Sequence, residues 1–571
     1  MSKINRLNRK LYEKFDGNVS AHIDGECVVL TGSLSDWNSI VSAGQLAAKH
    51  RNRLGVINDI EFTGAPIPPM KLPLISDSKL EGNTPDVMVI GAGVVGCAIA
   101  RELMRYDVSV LLVDKEHDVA MHASSRNDGM IHPGLDLKKG QVKEKYNAKG
   151  NAMYDKVCSE LGVKFERIGQ YLCFKERGMR LIAHIAPAYW VQKGIPCKYI
   201  GAERLHATIE GLDKEILFAL FFPTAGIVCP YGLTIAYAEN AVDNGAQISL
   251  DTAAIDMNVK NGEIKSVSTN RGTVYPKVVV NAAGVFSEDV AVLAEDRFFS
   301  IHPRKGTNAI LDKKVSRHLN EIVSTLSAQK TKSKNTKGGG IVRTIDSNVL
   351  IGPDAVETYE KENFETAADS IDDSFRRHVE TSPFVRQSEI ITYFTGVRAA
   401  TYEEDFVVTK GKKTRNLVHA AGIQSPGLTS APAIAVDVAS MAAQLVAETR
   451  AVGKNNSFDP IRKPIVKTSE LSMEERGEII AENHDYGEIV CRCEEVSRGE
   501  IIAALHRSVP CDTVDGVKRR VRPGMGRCQG GFCGPLVAQI ISEELDIPLD
   551  AVTKNGKNSH IVLCDTKGGT L

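Results

Sequence analysis

The sequence predicts an α/β protein of several domains, its body built on a parallel nucleotide-binding sheet. Three observations carry that reading. An apolar strand runs into a glycine-rich turn and an apolar helix near residue 90. Two Pro-interrupted polar stretches set that body apart from a small unit at each end. Six of the twelve cysteines crowd the stretch from Cys491 to Cys564. The 571 residues allow several cores at roughly 100–200 residues per domain. Lys plus Arg (70) balances Asp plus Glu (71), and the formal net charge of −1 provides no general field for nucleic acid or anionic lipid. With 43% apolar and 25% charged residues, a mainly disordered or collagen-like chain is excluded.

Residues 1–64 form the first unit. The segment His22–Leu34 reads as strand, turn and strand. Ser39–Arg51 has helical apolar spacing at Ile40, Val41, Leu46 and Ala47, and LGVINDIEF alternates like a further strand. This unit resembles the small BON module, which implies docking or oligomerisation rather than chemistry. A Pro-rich linker, 65–85, cannot be a regular helix or central strand. The body spans 86–448, a second linker 449–469, and an end unit 470–571. The apolar stretch Val87–Ala100 is 14 residues long and holds three glycines, short of the ~18 residues of a spanning helix. The N-terminal MSKINRLNRKLYEKF lacks the apolar core of a secretory leader. Its basic residues leave a peripheral membrane contact open, and six scattered cysteines suit a cytoplasmic, reduced chain.

VMVIGAGVVGCAIARELMR reads as strand, turn and helix, with Gly91, Gly93 and Gly96 in the order G-x-G-x-x-G. Gly91 permits the tight turn, Gly93 the approach of a pyrophosphate, and Gly96 close helix–strand packing. The helix N-terminus offers free N–H groups to the anion. A second strand, VSVLLVDKE, ends in Asp114 and Lys115. Asp114 lies 18 positions beyond Gly96, near the ~20 expected of an acid that holds an adenosine ribose. The whole unit reads as a Rossmann-like dinucleotide site.

Downstream come HASSRNDGMIHPG (122–134), the strand end NAAG (281–284) and GIQSPGLT (422–429). With these ordered motifs, residues 86 to 448 resemble the D-amino-acid oxidase superfamily of FAD enzymes. The resemblance implies an FAD-binding domain from about 86–150, 225–297 and 390–448. A mixed β-sheet substrate domain is interleaved from about 151–224 and 298–389. It implies that Ser124, Ser125, Arg126 and Asn127 line the flavin and pyrophosphate, and that Gly284 lets the chain pass the adenosine side. Gly427, Leu428 and Thr429 would open a helix facing the flavin pyrimidine. A helix N-terminus there stabilises negative charge gained near flavin N1.

The stretch YFTGVRAATYEEDFVV is similar to the family's G-x-R-P segment, which makes Arg398 the anchor for an anionic substrate group. A guanidinium fork engages carboxylate or phosphate through two hydrogen bonds. Ala399 replaces the usual proline. The competing reading is a solvated arginine paired with Glu403 or Asp405. His132 is the candidate base, an imidazole able to take a hydroxyl proton, against a plain structural histidine. Arg304 and Arg343 are further cationic candidates.

Near the end, Cys491 and Cys493 form C-x-C, and Cys528 and Cys533 form C-x4-C. Four thiolates from two loops suit a [2Fe–2S] cluster. Zinc is the alternative, against which the one-residue spacing argues. Cys511 and Cys564 fall outside the pattern. Residues 470–571 resemble the bacterioferritin-associated-ferredoxin-like module, which implies a mainly helical [2Fe–2S] domain. An oxidase-like FAD body followed by this module resembles the large-subunit family of anaerobic glycerol-3-phosphate dehydrogenases, and also opine and amine dehydrogenase subunits. That implies a small anionic substrate, an electron-acceptor protein subunit, and oxidation of sn-glycerol 3-phosphate. A 2-hydroxy acid such as L-2-hydroxyglutarate, an amino acid or opine, and a redox relay scaffold without a substrate remain the alternatives.

Overall fold

The computed structural model describes residues 3–49, 55–135, 137–326, 339–556 and 558–564. Its centre is a six-stranded sheet. Five strands run parallel in the order Gln247–Ser249, Val110–Val113, Val87–Ile90, Val278–Asn281 and Leu417–Ala421, and Val407–Lys410 closes the edge antiparallel. Val87–Ile90, Val110–Val113 and Val278–Asn281 are buried throughout, as expected of a parallel sheet covered on both faces. The helix Val94–Leu103 is buried at every residue. It shares one apolar cluster with the helices Val142–Leu161, Pro230–Asp243 and Gly427–Ala447.

A larger mixed sheet of nine strands stands beside it. It includes Gln170–Phe174, Phe218–Phe222, Ile301–Leu311, Ile322–Leu326 and Val349–Gly352. Two details differ from the division read from sequence. The strand Ile390–Thr401, grouped there with the nucleotide-binding parts, pairs along its length with Ile301–Leu311 in the large sheet. The chain rejoins the central sheet only at Val407. The division at 150/151 falls inside the helix Val142–Leu161, because that helix packs on the nucleotide-binding side.

The N-terminal unit runs helix Lys3–Phe15, strands Val19–Asp24 and Cys27–Leu34, helix Trp37–Ala48 and strand Val56–Phe62. Leu7, Leu11 and Phe15, four apart on one helical face, are buried in its own core. The basic N-terminus therefore spends its apolar face internally. The unit is keyed to the body: Asn58 Nδ2 donates to the Tyr402 hydroxyl at 2.8 Å, and the Val56 N–H donates to Glu403 at 2.8 Å.

The C-terminal unit has helices Met473–Glu482, Arg498–Leu505, Val514–Val521 and Cys533–Glu544, around a two-stranded ribbon. Reciprocal caps, Ser472 with Glu475 and Ser497 with Glu500, start the first two. Ion pairs fasten the unit to the body: Asp118 with Arg519 and Arg520, Glu239 with Arg507, and Asp346 with Arg522. Among the described residues one helix, Gly427–Ala447, is long and apolar enough to cross a membrane, and 67% of its most apolar stretch is buried inside the protein.

Candidate functional site

The glycine turn is shaped as its spacing requires. Gly91 has φ +110°, and a β-carbon there would stand 2.4 Å from the Ala282 carbonyl oxygen. A β-carbon at Gly96 would stand 1.8 Å from the Gly91 oxygen. Gly93 caps the helix Val94–Leu103, and the Val94 N–H donates to Ser124 Oγ at 2.9 Å. The hydroxyl thus occupies the anion-seeking end of the helix. Gly284 has φ +56° with nothing within 4 Å of its β-position. The bare glycines and the helix start fit a dinucleotide.

Asp114 ends its strand as expected, and its carboxylate accepts from the Ala92 N–H at 2.6 Å and the Glu116 N–H at 2.9 Å. Burial pushes its pKa up. Lys115 is held between Glu116 and Glu362. In the following loop Ser125 Oγ donates to the His122 carbonyl at 3.2 Å. Asn127 bonds back to Ala123 and Ser124, and the Arg126 guanidinium lies 4.2 Å from the Phe364 ring centre. The 122–127 loop is thereby self-supporting.

His132 and Thr429 are brought together from motifs far apart in sequence. The His132 N–H donates to Thr429 Oγ1 at 2.9 Å, while its carbonyl accepts from Asn151 at 3.0 Å. Gly427, Leu428 and Thr429 form the first turn of the helix Gly427–Ala447, and the Leu428 carbonyl accepts from Tyr154. The close approach of Val142–Leu161 depends on Gly150, where a β-carbon would lie 2.1 Å from the Thr429 oxygen.

Arg398 stands opposite Arg304 in the strand pair. Its side chain lies over Gly306 and donates to the Asp354 carbonyl at 3.2 Å. The same strand approaches the 122–127 loop: a β-carbon at Gly396 would stand 2.7 Å from the Arg126 oxygen. Burial and then the Arg304 charge push the Arg398 pKa down, while Asp354, Asp128 and Glu357 oppose them. Glu403 accepts from the Val56 N–H, and Asp405 from the N–H groups of Val142 and Lys143. Arg304 is tied to Glu357, Glu404 and Gln424. Arg343 is turned to Glu166. Arg304 therefore braces the site and Arg343 lies apart from the Arg398 pair. Sequence reasoning missed the brace: Gln424 sits inside the GIQSPGLT motif, but its link to Arg304 and Glu404 crosses three strand or loop segments.

Cys491, Cys493, Cys528 and Cys533 of the end unit converge in two pairs. Cys493 and Cys528 sulfurs are 3.9 Å apart, and Cys491 is hydrogen-bonded to Cys533. That bond, with N–H groups of Gly524, Glu494 and Cys493, lowers the Cys491 pKa. N–H groups of Phe532, Gly530 and Gly531 point at Cys528. A β-carbon at Gly526 would strike Cys493 Cβ at 2.2 Å. Four sulfurs ringed by backbone donors fit a [2Fe–2S] cluster. Cys511 is buried in the apolar core of the unit, apart from them.

Residues 86–441 match the FAD dependent oxidoreductase (DAO) family, and residues 489–543 match the BFD-like [2Fe-2S] binding domain. The chain belongs to the FAD-dependent oxidoreductase family. FAD and a [2Fe–2S] cluster are its cofactors. Similar to it is a glycerol 3-phosphate dehydrogenase of Caloramator mitchellensis, 38% identical over 84% of this chain and 99% of that one. One subunit of the anaerobic glycerol-3-phosphate dehydrogenase of Escherichia coli K12 is 23% identical over 81% of this chain and 88% of its own. The FAD-bound L-alpha-glycerophosphate oxidase of Mycoplasma pneumoniae shares the fold of the body, with TM-score 0.61 and 24% identity over 67% of this chain and 100% of that one.

Proposed function

We propose that this oxidoreductase is the catalytic subunit of a dehydrogenase that oxidises sn-glycerol 3-phosphate to dihydroxyacetone phosphate and delivers the electrons to a partner protein. The observation that carries it is Arg398: a half-buried guanidinium, laid over a bare glycine backbone beside the 122–127 loop, with one backbone carbonyl as its hydrogen-bond partner. The similarity to the Caloramator enzyme over nearly its whole length supports the choice of substrate. The similarity to one subunit of the Escherichia coli enzyme supports the acceptor protein.

Arg398 binds the phosphate through its fork, which holds the carbinol carbon in place. Arg304, neutralised by Glu357 and Glu404, braces the strand pair and leaves Arg398 as the cation for the substrate. His132 takes the hydroxyl proton as the carbinol hydrogen leaves as hydride. Loss of that proton and hydride accounts for the ketone. Gly427–Thr429 present the helix start that stabilises anionic charge. When bound, FAD supplies a two-electron acceptor and the [2Fe–2S] cluster a one-electron outlet.

A dye-reduction assay with the purified chain tests the proposal. Turnover is expected with sn-glycerol 3-phosphate and not with L-2-hydroxyglutarate, amino acids or opines. Turnover with one of those, and none with glycerol 3-phosphate, refutes the substrate.

A further inference from the structure

The helix Arg180–Gln192 is built unlike the surface helix of a globular protein, which turns a polar face to water. Leu181 (73% exposed), Ile182 (59%), Ile185 (64%), Tyr189 (51%) and Val191 (57%) all face solvent, and Ala183 is the buried residue of the helix. Leu181, Ile185 and Tyr189 follow at intervals of four and form one outward stripe. The opposite side is apolar as well: Trp190 and Ala186 pack on the cluster of Phe174, Phe218 and Phe222.

The charge around the stripe has one sign. From Arg177 to Lys198 there is no Asp or Glu, while Arg177, Arg180, Lys193 and Lys198 are exposed and make no ion pair among the described residues. Lys193 Nζ lies 4.6 Å from the Tyr189 ring centre. This local surplus stands out in a chain whose net charge is −1. Exposed aliphatic side chains, an exposed tyrosine and a rim of cations without ion-pair partners are the chemistry of a helix lying in an anionic lipid surface. Protein interfaces are enriched in arginine and tyrosine and depleted in lysine, so the exposed Lys193 and Lys198 set the patch toward lipid, and a protein partner is the other outcome of the test.

We propose that Arg180–Gln192 is an interfacial anchor that seats the enzyme on an anionic bilayer, its apolar stripe in the headgroup boundary and its cations on the lipid phosphates. The anchor adjoins the catalytic loop: Ile195, just past the helix, lies 3.6 Å from the β-position of Gly134, two residues beyond His132. The observations that carry this are independent of the substrate.

The test uses the full-length holoenzyme and vesicles of phosphatidylcholine alone or with phosphatidylglycerol in a three-to-one ratio. The protein is expected to sediment with the mixed vesicles, at least about tenfold more tightly than with phosphatidylcholine alone, and to be released by salt. The double variant Leu181→Ser/Ile185→Ser is expected to lose vesicle binding while keeping its flavin spectrum and dye-linked turnover. Arg180→Gln/Lys193→Gln is expected to lose the preference for the mixed vesicles. No sedimentation of the parent protein with mixed vesicles overturns the proposal. Equal binding by the serine variant does so too, as does a purified protein partner that holds this helix without any vesicle binding.

Discussion

Arg398 lies across the backbone of Gly306 so closely that a β-carbon at Gly306 would stand 2.2 Å from Arg398 Nη2. The two residues are on paired strands, Gly306 opposite Gly396 and Arg398 opposite Arg304. The proposed substrate cation is thus positioned by the absence of a side chain on the neighbouring strand. Gly306→Ala is expected to displace the guanidinium. Because misplacement by about 1 Å costs on the order of 10²-fold, kcat/KM for sn-glycerol 3-phosphate should fall by that order, with KM rising and the flavin spectrum intact. Steady-state kinetics beside Arg398→Lys, which keeps charge but not the fork, checks it. An unchanged KM in Gly306→Ala contradicts the role.

His132 is fixed by its own backbone, between Thr429 and Asn151, so changing its side chain leaves those anchors in place. His132→Asn is expected to lower kcat by ~10²–10⁴-fold, the usual contribution of a general base, with flavin content unchanged. Loss of flavin with normal kcat per bound flavin would make the histidine structural. Single-turnover reduction under nitrogen, normalised to bound flavin, separates the two.

Cys493 is exposed and Cys491 and Cys533 are buried, so the cluster cage has one solvent side. Cys493→Ser is expected to lose most iron–sulfur absorbance and turnover with the physiological acceptor. Flavin bleaching by substrate should survive, because the glycine turn and the Arg398 pair lie in the body. Iron content and anaerobic absorbance measure this. Loss of substrate bleaching together with the iron would show that the two centres are not separable.

Asp118 joins the units through Arg519 and Arg520. Burial alone would raise its pKa, yet the charge of Arg520, its hydrogen bond and Arg519 lower it to about 2 from 3.8. A carboxylate depressed in the folded state contributes stability above its unfolded pKa and loses it as pH falls through the folded value. The shift corresponds to about 2 kcal/mol, present at neutral pH and lost between about pH 4 and pH 2. Asp118→Asn is expected to lower the melting temperature at pH 7 and to converge on the parent as pH falls through that window. Thermal unfolding at several pH values measures it. An equal gap at pH 7 and pH 2 would contradict the ion-pair origin.

What could be read from sequence was local. The turn at Gly91–Gly96, the strand end at Asp114 and the cysteine pairs each lie within one short segment whose spacing carries the geometry. The exposed or buried state of Arg398 was not readable, since it depends on Gly306, 92 positions earlier in the chain. The same holds for Asp118, whose partners lie about 400 positions away. The placing of Ile390–Thr401 depends on its strand partner, which periodicity cannot name. Helix Arg180–Gln192 could be recognised as apolar in sequence, but its exposure is a property of the fold.

The decisive measurement is rapid mixing of the full holoenzyme with sn-glycerol 3-phosphate in the absence of oxygen, followed across the visible spectrum. Flavin absorbance is expected to bleach first and iron–sulfur absorbance to follow in a slower phase, with dihydroxyacetone phosphate formed in proportion. A flavin that keeps its colour in excess sn-glycerol 3-phosphate, while a different hydroxy or amino acid bleaches it, would contradict the assignment.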